Sequence, residues 1–155
     1  MTTTLTVLAI EPSRLEAMRA AGADEHGNPF VGYSANGWEP LRCCLRVARP
    51  DEQIALIGYR PFRTVSPWAE VGPVYVHAAA CEGYPPDAGL PPELRTGRML
   101  RGYHADGSLA YDHITRVPEG VDIEASLRAL LAAPEVAEVH VRAVETQCFA
   151  YAVRG

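Results

Sequence analysis

Two hairpins written into the C-terminal half constrain this chain more tightly than any other feature. Arg98 to Tyr103 and Leu109 to Thr115 flank Ala105-Asp106-Gly107-Ser108, and Asp-Gly between two such runs is the turn chemistry of antiparallel strands. Val136 to Ala143 then alternates. Ala137, Val139, Val141 and Ala143 take one face, and Glu138, His140 and Arg142 take the other. Gln147 to Val153 returns as the partner of that strand. Strands joined in sequence order by tight turns build an antiparallel sheet, not a wound parallel one.

The remaining segments fit around that sheet. Leu5 to Ile10 reads as a first strand, and Pro12 to Ala20 as a helix stopped by Gly22. Residues 23–40 carry Gly, Asn and Pro with Phe30, Tyr33 and Trp38 interspersed, an irregular segment pinned by aromatics. Leu41 to Val47 reads equally as a strand or a short turn. Gln53 to Tyr59 is apolar on both faces, the mark of an interior strand. Val71 to Ala78 is another strand, with Pro73 near its start. Residues 83–94 form a stiff proline-rich loop, and Asp122 to Ala132 is a helix with Ile123, Leu127, Leu130 and Leu131 at helical spacing. The expectation is an α+β fold: one domain over residues 1–155, a mainly antiparallel sheet and two principal helices.

Composition narrows the function classes. At 155 residues the chain is long enough for a real core. Its net charge is −5, and all 14 cations are arginine. Lysine Schiff-base chemistry and a Walker-type phosphate lysine are therefore absent. Net acidity without a basic run argues against nucleic acid as a partner. No apolar run approaches the ~18 residues of a membrane span, and the first residues lack the basic start of a secretory signal. A cytoplasmic protein is expected. No motif requests a cofactor.

The segments Leu41-Arg42-Cys43-Cys44-Leu45, Tyr59-Arg60-Pro61-Phe62, Glu70 to His77 and Val139-His140-Val141-Arg142 together resemble DUF1203, a bacterial domain family. The resemblance runs from about Gly32 to the C-terminus. It implies a domain of about this length and carries no activity, cofactor or site residue with it.

Three constellations of chemistry-bearing residues stand out. The first is a thiol–imidazole pair, His77 with Cys81. Four residues of continued strand would hold them ~13 Å apart, so they meet only if the chain bends at Ala78-Ala79-Ala80. The plain alternative is a strand-end histidine and an inert buried thiol. The second is a metal site drawn from Cys44, His77, Cys81, His140 or Cys148, types that suit zinc at spacings that match no standard pattern. Cys43 and Cys44 would point to opposite faces if they sat on a strand, so only one of them is expected at any site. Metal ligation ranks below the other readings, and no metal residue is assigned.

The third is an anion pocket. His140 and Arg142 share a face, as do Arg101 and Tyr103, and Tyr75 and His77. If those faces line one cleft, its guanidinium forks and imidazoles suit a small anionic ligand. In that cleft His77, Cys81 and His140 would be the catalytic candidates, and Tyr75, Arg101, Tyr103 and Arg142 would bind. The plain alternative is a solvated outer strand face. Glu70, beside Gly72-Pro73, is a weaker feature. A second function class is a non-catalytic homodimeric module whose contact is the aromatic segment 28–38 or the proline-rich loop.

Overall fold

A computed structural model describes residues 3–155. Its five-stranded sheet has the order β1-β8-β7-β5-β6, built from β1 (Thr6–Leu8), β5 (Thr96–Tyr103), β6 (Leu109–Asp122), β7 (Glu138–Ala143) and β8 (Phe149–Arg154), every neighbouring pair antiparallel. A three-stranded antiparallel sheet, β2-β3-β4, holds β2 (Tyr33–Ser34), β3 (Gln53–Tyr59) and β4 (Gly72–His77). The helices are α1 (Pro12–Ala21) and α2 (Glu124–Leu131). The fold is α+β, as the hairpins predict. No helix among the described residues is long and apolar enough to cross a membrane.

Two cores share the larger sheet. On one face, Val139, Val141, Leu100, Val7 and Val153 pack beneath Ile123, Leu127 and Leu130 of the α2 region. On the other, Phe149 and Ala152 meet Ile54, Ile57, Val74 and Val76 of the small sheet and Leu15 and Met18 of α1. The sheet is thus sandwiched, which is why β8 is buried from Phe149 to Val153. Removing side chains of this kind from water contributes roughly 1.5–3 kcal/mol each.

That sandwich overturns the solvated-face reading of β7. His140 has no exposed surface and Arg142 is 6% exposed. Binary alternation showed two faces but not that a second layer covers the polar one.

Leu41 to Val47 resolves as a turn. It joins the rest through isolated bridges, Pro40 to Val47 and Leu41 to Tyr75. Leu41 N–H donates to Arg46 O (2.8 Å) and Leu45 N–H to Leu41 O (3.0 Å). Leu45 sits at φ 57° while buried, a left-handed conformation that a bulky residue adopts only where its surroundings impose it. The segment 23–30 is tied to β3 by Asp24. Its carboxylate accepts from the N–H groups of His26, Asn28 and Gly58 and from the Asn28 amide.

Candidate metal centre

The turn at 41–47 has a consequence that strand geometry forbids: both adjacent cysteines face the same point. Cys43 Sγ lies 3.9 Å from Cys44 Sγ, and the two sulphurs lie 3.4 and 3.7 Å from His77 Nδ1. The expectation that only one of the pair can serve a site fails for this reason. His77 ends β4, the chain bends at Ala78-Ala79, and Cys81 returns. Donor atoms of Cys43, Cys44, His77 and Cys81 all lie within 4.8 Å of one another. His77 and Cys81 therefore meet, by the bend on which their pairing depended.

These separations carry chemical information. A tetrahedral zinc ion with Zn–S of about 2.3 Å and Zn–N of about 2.0–2.1 Å holds its sulphurs ~3.8 Å apart and its sulphur–nitrogen pairs ~3.6 Å apart. The two sulphur–nitrogen distances, 3.4 and 3.7 Å, bracket the second value and the 3.9 Å sulphur–sulphur distance lies close to the first, while the Cys81 donor lies within 4.8 Å of the other three.

A second layer supports the four. His77 Nε2 is 2.8 Å from Glu52 Oε2, so with Nε2 carrying the proton, Nδ1 presents its lone pair toward the thiols. Arg46 grips Glu52 through two bonds of 2.7 and 2.8 Å. Arg46 holds the Glu52 carboxyl well below the usual range, helped by His77. The His77 backbone N–H donates to Cys43 Sγ (3.3 Å). The Cys43 hydrogen bond, with His77 and Arg46, brings Cys44 down to about 6 against burial. Cys43, whose proton is shared with Cys44 and whose sulphur is buried, moves up instead. Without a cation the pair thus favours one thiolate and one thiol, and the anionic member prefers a positive neighbour.

The other sequence-predicted residues lie elsewhere. His140 is caged by Phe62, Tyr103 and Phe149 at ring separations of 4.8, 4.4 and 5.0 Å, with Nε2 on Glu138 at 2.7 Å. Burial lowers its pKa below the ordinary value, against the pull of Glu138. Tyr103 belongs to that cage, and Tyr75 packs edge-on against Trp38. Arg101 and Arg142 converge on Glu70 at 3.7 and 3.5 Å. Cys148 stands apart from the other thiols, beside Thr146.

The single cleft imagined from the sequence is therefore divided. Gly72 and Pro73 line a cavity with Arg142, and His77 lies at the far end of that strand, roughly 16 Å along it. Sequence reasoning also missed Cys43, Glu52 and Arg46. The one available signal was that 41–47 lacks alternation, which left the turn open as a reading.

The class these features define is a small α+β domain of antiparallel sheets that carries a cluster of three cysteines and one histidine. Residues 38–155 match the family described as protein of unknown function (DUF1203), and the chain belongs to that family. No curated protein and no solved structure matches it.

Proposed function

We propose that this protein binds one zinc ion through Cys43, Cys44, Cys81 and His77 Nδ1, and that the ion has a structural role. The observation that carries the reading is the convergence of four donors within 4.8 Å of one another, with the Cys43, Cys44 and His77 separations of 3.4–3.9 Å close to those of tetrahedral zinc. Four protein donors leave no open position for substrate, which separates a structural site from a catalytic one. The ion would tie the 41–47 turn to the end of β4 and to the start of the proline-rich loop, segments otherwise joined by few backbone bonds. Soft sulphur donors with one imidazole favour zinc over magnesium or calcium.

Elemental analysis of protein purified without chelators tests this, expecting one zinc per chain. Replacement by cobalt(II) is expected to give the intense visible bands of a tetrahedral thiolate complex. Metal-free protein in which Cys43, Cys44 and Cys81 react freely, with a melting temperature unmoved by added zinc, would overturn it.

A homodimeric role is a second reading. It is favoured by the exposure of Val31, Tyr33 and Trp38, at 63%, 39% and 61%, within the aromatic segment. Light scattering across a concentration series tests it, and a monomer throughout would exclude it.

A further inference from the structure

Arg142 is a guanidinium with too few partners for its burial. Its side chain is 7% exposed, NH1 donates to Gln147 O at 2.7 Å, and Nε is buried with no partner at all. Buried cations are ordinarily matched by a carboxylate in hydrogen-bonding contact. Here the carboxylate within reach is Glu70, whose Oε2 stays 3.5 Å from Arg142 and 3.7 Å from Arg101. Both distances exceed those of a formed N–H···O bond. Glu70 is itself 58% exposed and lies just before β4, outside any strand. Arg101 is held alongside by a long contact of 3.3 Å to the Gln147 side chain.

Beside Glu70 lies a cavity of about 180 Å³, lined by Arg142, Glu70, Gln147, Thr146, Cys148 and Phe149 among others; Arg101 stands outside that lining and approaches the site at Glu70 Oε2. The cavity is below the ~300 Å³ at which drug-sized ligand sites begin, a size that suits a small ligand. Two guanidinium forks facing one loosely held carboxylate form a site for an oxyanion.

We propose that Arg142 and Arg101 bind a small carboxylate ligand of about the size of malonate, and that Glu70 occupies the site as a tethered competitor. The Glu70 carboxylate shows which chemistry the pair accepts, and its exposure leaves it free to swing into solvent when a better-placed carboxylate arrives. The site shares no residue with the metal centre, so either can fail alone.

Calorimetric titration of the protein as purified with malonate, in buffer free of other carboxylates, is the test. Glu70→Gln is expected to tighten malonate binding by about tenfold, a gain that misfolding cannot produce. Arg101→Gln is expected to weaken it by at least tenfold with an unchanged melting temperature, and Arg142→Gln to abolish it. Cys148 supplies an orthogonal readout, since it is one of the residues that line the same cavity. Iodoacetate, a carboxylate, is expected to alkylate Cys148 faster than neutral iodoacetamide, with malonate slowing the reaction. Binding of malonate unaffected by Glu70→Gln, or phosphate binding without carboxylate binding, would overturn the proposal. So would a Cys148 that reacts no faster with iodoacetate than with iodoacetamide.

Discussion

Glu52 Oε2 lies 2.8 Å from His77 Nε2, and this bond leaves Nδ1 as the nitrogen that meets the thiols of Cys43 and Cys44. A carboxylate so placed fixes both the tautomer and the tilt of the ring. Glu52→Gln is therefore expected to weaken zinc binding 10- to 100-fold while leaving the fold assembled. His77→Ala or Cys81→Ser removes a donor and is expected to abolish stoichiometric binding. Competition with a chromophoric chelator measures both.

Zinc removal should show in stability. An ion present at ~1,000 times its dissociation constant stabilises the folded state by about 4 kcal/mol. For a domain of this size that moves the melting temperature on the order of 10 °C. Calorimetry with and without chelator is expected to show that shift in the native sequence and to show none in Cys81→Ser.

His140 predicts a pH effect unrelated to the metal. Its burial holds the folded pKa below that of the free imidazole, against Glu138 and in the same direction as Arg142 and Arg101. The unfolded chain therefore takes up the proton first. The contribution to stability is complete above about pH 6.5 and is lost as pH falls from there through the lower folded value. Nδ1, buried without a partner, fits a neutral ring, because an unpaired N–H⁺ there would cost more. In His140→Phe, denaturant melts taken from pH 7 downward are expected to lose this slope, at a cost of about 1 kcal/mol for the Glu138 bond at neutral pH.

Asp24 governs a more acidic window. Bonds from Gly58, Asn28 and His26 depress its carboxyl pKa although burial opposes them. Its stabilisation is full above about pH 3.9 and disappears as pH falls through the lower folded value. Asp24→Ala leaves the Gly58 N–H in β3 without an acceptor and is expected to cost about 1–3 kcal/mol at pH 7. Its acid-unfolding curve should be correspondingly shallower.

Arg42 is 3% exposed and donates Nε to Phe149 O at 2.7 Å. Burial brings its pKa down to about 10, so it remains charged at neutral pH. Arg42→Met fills similar space but strands the carbonyl of Phe149. An expected loss of about 1–3 kcal/mol would appear in chemical denaturation.

Sequence patterning alone determined the antiparallel architecture, both hairpins and both helices. Each is a local property: Asp106-Gly107 makes its turn and Leu127 and Leu130 share a helix face wherever the chain is placed. It also singled out His77, Cys81, Arg101 and Arg142 by type. How those residues are grouped was beyond its reach, because grouping depends on contacts across long separations. Cys43 and Glu52 reach His77 from 34 and 25 residues away. The direction of adjacent side chains at Cys43-Cys44 turns on whether 41–47 is extended or coiled, and the bridge to Tyr75 and the left-handed Leu45 decide that. Alternation likewise named the polar face of β7 but not its burial. Only tertiary packing, which sets Phe62 of the β3–β4 connection against His140 beside Tyr103 and Phe149 of the same sheet, turned an apparent solvent face into a histidine cage and a buried arginine.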